Sequence, residues 1–311
     1  MSEGVLLGDI GGTSSRFALT GDDGRPTQVR AIDNDDVASL EAGIARYLDA
    51  TGARPRAAVL AVAAAIRGPD IAMTNRAWRF HLDDLKARFG FAHIRAINDF
   101  EAQAWALPWL GPDDLRRIGG PSEPAPGPKV VFGPGTGLGV AALVPHERGW
   151  LAVASEGGHV SFGPAADDEQ PVFERLRTQQ CVTAEWVLSG PGLARLHAAL
   201  HPGTASLAPE AIVKAAQAGD TAATATTRLF ARLIGRFAGD LALMFKATGG
   251  VYVSGGVGQA LGAGLDEKIF RAAFEAHPPY QALLAEIPTH LITHPQPGLL
   301  GCAALARAAS S

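Results

Sequence analysis

The chain has 311 residues, 47% of them hydrophobic and 19% charged, with a formal net charge of −4. Such a length suits about two domains, and such a composition excludes global disorder. Arg116-Arg117 is the only adjacent basic pair, which excludes a nucleic-acid-binding stripe, and the longest apolar run, 57–66, is about half a membrane span.

The first hundred residues read as strands near 5–9, 16–20, 28–32, 57–66 and 94–98, with helices among the later ones. The N-terminus carries Glu3 and Asp9 around a short apolar stretch, which is not a signal peptide. Leu40, Ile44, Tyr47 and Leu48 form an apolar stripe at helical spacing, and Leu82, Leu85 and Phe89 form a shorter one. Three strands joined without helices cannot all be parallel, because parallel neighbours need a long crossover. The pattern predicts a mixed sheet with a meander at one edge. Residues 119–128 hold four prolines and predict an exposed, linker-like loop. A second strand–loop–strand unit spans 130–144, with a third strand near 150–153, which suggests a duplicated fold. The rest is mostly helical. Phe230, Leu233, Ile234, Phe237, Leu241, Met244 and Phe245 give a long helix within 221–246, on which Gly235 and Gly239 allow a close neighbour. Strands near 251–254 and 290–293 and a helix at 300–309 end the chain. Cys181 and Cys302 lack metal or redox spacing, so two buried thiols in a reducing cytoplasm are expected.

Each strand–loop–strand unit turns on a glycine-rich loop. The first is Gly8-Asp9-Ile10-Gly11-Gly12-Thr13 and the second Gly133-Pro134-Gly135-Thr136-Gly137-Leu138-Gly139. Glycine lets backbone N–H groups approach an anion with no Cβ in the way, which suits phosphate, and Asp9 is able to hold Mg²⁺ through water. The plain alternative is a glycine turn with an incidental aspartate. Neither loop is a P-loop, and neither has the dinucleotide glycine spacing before a helix.

Asn98-Asp99 ends a strand just before a helix, where open α/β folds bind ligands. Asp99 is placed either to take a proton from an attacking hydroxyl or to cap the helix. Glu156-Gly157-Gly158-His159 sets a carboxylate and an imidazole around a tight turn, suited to a polyhydroxylated ligand or simply to a turn. Glu185 follows the potential cap Thr183 and is a ligand contact or a helix-dipole carboxylate. Ser254-Gly255-Gly256 follows a strand and suits close approach to a base or ribose, as it suits a helix start. Met73-Thr74-Asn75, near Trp78, offers further polar contacts or a solvated loop. Taken together, the pieces fall at strand ends in the order phosphate loop, base, phosphate loop, sugar contacts, nucleotide loop.

In this combination the chain resembles the bacterial glucokinases, the ATP-dependent group without the cysteine-rich zinc motif, within the sugar kinase, actin and heat-shock chaperone superfamily. The resemblance runs from Leu7 to about Leu305. It rests on Gly8–Thr13, Ala72-Met73-Thr74-Asn75, Ile97-Asn98-Asp99-Phe100, Gly135–Val140, Glu156–Val160, Leu188–Leu193, Gly255-Gly256 and Pro297–Gly301. The order Asn-Asp-Phe then Glu-Gly-Gly-His is specific, whereas the glycine loops mark only the superfamily. The fold class it implies is α/β, with two ribonuclease-H-like (actin-like ATPase) domains. Each is a mixed sheet with flanking helices, and a cleft separates them. The small domain is expected at 1–109 plus 299–311 and the large one at 110–298.

The implied activity is transfer of the γ-phosphate of ATP to the 6-hydroxyl of glucose, in glycolytic carbohydrate metabolism. Asp99 resembles the general base, and Asn98, Asp99, Glu156, His159 and Glu185 resemble the sugar contacts. Gly8, Asp9, Ile10, Gly11, Gly12, Thr13, Gly135, Thr136 and Gly137 resemble the phosphate grips, with Asp9 near Mg²⁺ and Gly255 and Gly256 on the adenosine side. The partners implied are glucose and ATP, without nucleic acid or membrane, in a homodimer. Two departures stand out: Ser14-Ser15-Arg16, where the family often has Asn before a small residue, and Ala63-Ala64-Ala65, where it often has proline. The rival readings are a kinase for another hexose, such as mannose or N-acetylmannosamine, a sugar-responsive repressor, and a sugar-independent actin- or chaperone-like ATPase. The absent cysteine motif, and a first strand beginning at Val5, argue against the repressor.

Overall fold

The computed structural model describes residues 4–147, 149–255 and 266–309. Its backbone divides into two compact units, one comprising residues up to 110 with those from 294 on, the other residues 111–293.

In the first unit β1 (Leu6–Ile10), β2 (Ser14–Thr20) and β3 (Pro26–Asp33) form an antiparallel meander. β4 (Ala57–Val62) and β7 (His93–Asn98) extend the sheet in parallel on the far side of β1, so the order is β3-β2-β1-β4-β7. The period-2 alternation of a strand splits its side chains between two faces. Leu6, Ile10, Phe17, Leu60 and Val62 pack with Leu40, Ile44 and Tyr47 of α1 (Leu40–Thr51) and Leu85 of α2 (Leu82–Phe89). Leu7, Ala18, Val59 and Ala61 pack with Ala102 of α3 (Asp99–Ala106) and with Leu299, Cys302 and Leu305 of the last helix, α11 (Pro297–Ala308). Burial on both faces is why β4 reads as a continuous apolar run. That run does not stay extended to Ile66 as expected. It stops at Val62, where the Ala64 N–H bonds to Val62 O at 2.7 Å and bends the chain. A separate hairpin, β5 (Asp70–Ala72) with β6 (Arg79–His81), lies in a stretch the sequence pattern left unassigned.

The second unit repeats the plan. β9 (Lys129–Pro134), β10 (Leu138–His146) and β11 (Gly149–Ser155) make the meander, and β12 (Val251–Val253) and β13 (Thr289–Ile292) add in parallel. The order is β11-β10-β9-β12-β13, with β8 (Leu115–Gly119) antiparallel on the outer edge. A meander followed by two parallel strands in the same spatial order is the duplication expected from the two glycine loops. The proline-rich segment is the β8–β9 connection inside this unit. Thr248 Oγ1 and the Gly249 N–H pin it at Pro126 O (3.0 Å) and Pro128 O (2.9 Å).

Helices α4 (Gln170–Arg177), α5 (Ala184–Leu188), α6 (Gly190–Leu200) and α7 (Pro209–Gln217) precede the long α8 (Thr221–Phe245). Phe230, Leu233 and Phe237 of α8 pack on Val130, Phe132 and Val251 of the sheet, and the edge of one phenyl ring meets the other where Phe132 and Phe237 lie 5.7 Å apart. Helix α9 (Glu267–Glu275) crosses α8 at the two predicted glycines. A Cβ on Gly235 would lie 2.2 Å from Phe270 O, and one on Gly239 2.5 Å from Phe274 O. The short α10 (Gln281–Ala285) leads into β13. Of the two cysteines expected inside, Cys302 is buried in α11, whereas Cys181 is exposed in the connection between α4 and α5. No helix among the described residues is long and apolar enough to cross a membrane.

Candidate active site

In the first unit the candidate residues gather at the carboxyl ends of β1 and β7, on either side of β4. Gly8 and Ile10 lie inside β1, Ile10 fully buried, and the turn proper runs from Gly11 to Ser14, closed by Gly11 N–H donating to Ser14 O at 3.1 Å. Behind the turn sits Asn34, fully buried, whose Nδ2 donates to Gly11 O (2.8 Å) and Gly12 O (3.2 Å). The sequence reading passed over Asn34; its only signal, Asp33-Asn34-Asp35-Asp36, marks a turn. Arg76, the residue after Met73-Thr74-Asn75, also donates to Gly12 O at 3.4 Å.

Asp9 faces Arg16 across the β1–β2 ladder, with Oδ2 3.9 Å from the guanidinium. Burial raises its carboxyl above the ordinary value, and Arg16 opposes the shift. The N-terminus of α11 comes close on another side: a Cβ on Gly298 would stand 2.9 Å from the Asp9 carboxylate. Asp9 is one hard oxygen donor at a strand end, and no group of three or more His, Cys, Asp or Glu side chains among the described residues is arranged around a metal. That donor set fits Mg²⁺, which keeps several waters and takes one or two carboxylates plus phosphate oxygens.

Asn98, not Asp99, is the cap of α3. Its Oδ1 accepts from Phe100 N–H (2.9 Å) and Glu101 N–H (3.4 Å), and its Nδ2 donates to Ala64 O (3.2 Å). Asp99 is therefore the first residue of the helix, and its Oδ1 accepts from Phe100 N–H at 3.0 Å. Burial first, then the negative charge of Asp9, push the Asp99 carboxyl up to about 6.

In the second unit one packed cluster joins the other loop to the predicted sugar contacts. The Gly135–Gly137 turn closes through Gly135 N–H to Gly137 O (2.9 Å), and Gly190 N–H, at the start of α6, donates to Gly135 O (2.8 Å). Glu185 sits in the first turn of α5, capped by Thr183, and its Oε2 accepts from Leu138 N–H at 2.8 Å. Its Oε1 lies 3.9 Å from His159 Nδ1. The Glu156-Gly157-Gly158-His159 turn presses on the same loop, since a Cβ on Gly158 would fall 2.1 Å from Leu138 O. Glu156 and His159 are exposed, and the Glu156 side chain meets no partner among the described residues. Arg195 stacks 3.4 Å over the Trp186 ring; burial lowers the pKa of its guanidinium, and the Glu185 carboxylate opposes the shift. Gly255, at φ 89°, turns against the end of β9, where a Cβ would come 2.8 Å from Pro134 O. Gly256 lies outside the described residues.

A family model described as Glucokinase matches residues 6–309. The chain is 42% identical over 311 residues to a glucokinase of Chelativorans sp. (strain BNC1), covering 97% of this chain and 91% of the relative. Its fold matches the crystal structure of a glucokinase from an Antarctic psychrotroph with a TM-score of 0.90 at 31% identity, over 99% of both chains. It also matches, in fold alone, a ROK-family glucokinase from Streptomyces griseus in complex with glucose and AMPPNP, with a TM-score of 0.65 at 22% identity, over 97% of this chain and 99% of the other.

Proposed function

The chain belongs to the glucokinase family, and we infer that it is an ATP-dependent hexose kinase which transfers the γ-phosphate of ATP to the 6-hydroxyl of glucose, giving glucose 6-phosphate and ADP. The Asp99 carboxyl carries this conclusion. Raised to about 6 by burial and by Asp9, it suits a general base, which works best when its pKa lies near the operating pH.

Asp99 accepts the proton of the 6-hydroxyl as that oxygen attacks the γ-phosphorus. The new sugar O–P bond forms, the bond to the β-phosphate oxygen breaks, and ADP leaves. Asn98, Glu156, His159 and Glu185 take the ring hydroxyls, the carboxylates accepting their hydrogens. The backbone amides of Gly12 and Thr13 in the first turn and of Thr136 and Gly137 in the second meet the charge that spreads over the phosphate oxygens, and Gly255-Gly256 takes the adenosine. Asp9 would hold Mg²⁺ through water, and the ion would supply charge neutralisation at the phosphates. The S. griseus glucokinase of the same fold binds glucose and AMPPNP, ligands of the two kinds proposed here. We take the working form to be a homodimer.

ADP release with Mg·ATP, measured across glucose, mannose, fructose, galactose, N-acetylglucosamine and no sugar, tests the activity. Release that strongly favours glucose is expected. A preference for another sugar would assign another hexose, and equal release without sugar would replace the kinase with an ATPase. Asp99→Asn should lower kcat by about 10²–10⁴-fold, while glucose still perturbs the tryptophan fluorescence. Near-normal turnover in that variant would remove Asp99 from the mechanism.

A further inference from the structure

Among the described residues, the partners that reach the turn at 11–13 from the rest of the unit hold it by its carbonyls. Asn34 donates from Nδ2 to Gly11 O and Gly12 O, at 2.8 and 3.2 Å, and its own N–H donates to Thr13 O at 2.9 Å. Ser15 sets which way the Asn34 amide faces. Its Oγ donates to Asn34 Oδ1 at 2.7 Å, so the oxygen meets the hydroxyl and the nitrogen is left to face the carbonyls. Arg76 closes the bracket, bonding to Gly12 O, to Asn34 O and to Asp35 Oδ1, with its guanidinium 4.5 Å from the centroid of Trp78.

A trans peptide is planar, and its C=O and N–H point in opposite directions. Gly11 O shares a peptide with Gly12 N–H, and Gly12 O shares one with Thr13 N–H. Carbonyls gathered toward Asn34 therefore turn these two successive N–H groups to the other side. Neither N–H has an acceptor among the described residues. Successive unpaired amides of this kind form an anion-binding nest. Resting on the kinase reading above, we propose that Asn34, oriented by Ser15 and backed by Arg76, is a positioning residue that pre-sets the Gly12 and Thr13 amides for the nucleotide phosphates. It touches no ligand itself. Its role lies in the conformation of the turn, which would otherwise have to be ordered when the nucleotide binds.

Asn34→Asp is the sharpest probe. The two side chains are nearly the same size, but an ionised carboxylate still accepts from Ser15 and no longer donates to Gly11 O and Gly12 O. Titration calorimetry with AMPPNP and with adenosine, and tryptophan fluorescence with glucose, would be run on wild type and variant. AMPPNP should bind about tenfold more weakly or worse, while adenosine and glucose keep their affinities. Unchanged AMPPNP affinity in a folded variant would overturn the proposal, as would equal weakening of all three ligands, which marks a general structural role. Should Asn34→Asp not fold, Ser15→Ala keeps the amide but frees it to turn over. A loss confined to AMPPNP is then expected, and its absence would count against the bracket. A wild-type protein that binds glucose but not AMPPNP would overturn the kinase reading itself, a result distinct from either.

Discussion

Asp99 stands apart because its charge is disfavoured in the folded protein. Its carboxyl rises from an ordinary 3.8 to about 6, so between roughly pH 4 and 6 the native state holds a proton that the unfolded chain has released. Two consequences have opposite signs. As a base, Asp99 must be ionised, so kcat/KM should fall as pH drops through about 6, and a pH–rate profile will show the limb. For stability the ionised form is the cost, so the native state weakens as pH rises through the same window. Asp99→Asn should therefore melt higher than wild type at pH 7.5, by about 1–3 kcal/mol, and the gap should close below about pH 4. Thermal melts at the two pH values check this. An inactive variant that is also more stable is the mark of a group retained for chemistry rather than for packing.

At the scale of elements, α11 arrives from the far end of the chain and packs against both Asp9 and the helix that Asp99 begins. Cys302 Sγ lies 3.5 Å from Gly8 O, beside Asp9, and a Cβ on Gly301 would fall 1.6 Å from Ala102 O, on the helix that Asp99 begins. Gly298 leaves room for the Asp9 carboxylate, 2.9 Å from where its Cβ would be. Gly298→Ala favours helix by up to about 1 kcal/mol on propensity alone, so propensity gives no reason for lost activity. We expect it to displace Asp9, which both raises the Mg²⁺ concentration needed for half-maximal rate and shifts the acid limb set by Asp99. Steady-state rates across Mg²⁺ and pH will read both effects. If rate and pH profile match wild type, Asp9 does not depend on this approach. The same logic joins α5 and α6 to the second glycine loop, because Glu185 of α5 satisfies the Leu138 N–H while Gly190 of α6 holds Gly135 O.

Across the whole molecule, one architectural unit is used twice, each time with a glycine turn between the first two strands of its meander. The turns carry different surroundings. The first has Asp9 and Asp99 nearby, and the second has Glu185 and His159, so the copies have diverged in chemistry while keeping topology. Occupation of both kinds of site should stabilise the native protein by mass action, by about 2.7 kcal/mol for a ligand at a hundred times its Kd. Glucose and AMPPNP should each raise Tm and together raise it further, and a sugar that is not phosphorylated should leave Tm unmoved. Light scattering in the same buffers should return twice the monomer mass; a monomer would remove the homodimer from the proposal.

Much of this was written into local sequence. Strand-sized apolar runs, the helical stripe of 221–246 and the glycines at 235 and 239 each act over a few residues, so their periodicity could be read directly. The order of the motifs likewise marked the family, and Asn98-Asp99 was recognisable at a strand end. What the sequence did not reveal was the set of long-range partners. Asn34 reaches back over 22 residues to Gly12 and Arg76 over 64, and Gly298 meets Asp9 from the opposite end of the chain. Even the choice between Asn98 and Asp99 as helix cap, one residue apart, needed the structure, because it turns on where the first helical carbonyl and amide lie in space. The local order of residues sets which chemical groups stand at the strand ends. Which of them are held, charged and aimed follows from the folded chain, because hydrogen bonds and desolvation depend on through-space neighbours that leave no period in the sequence.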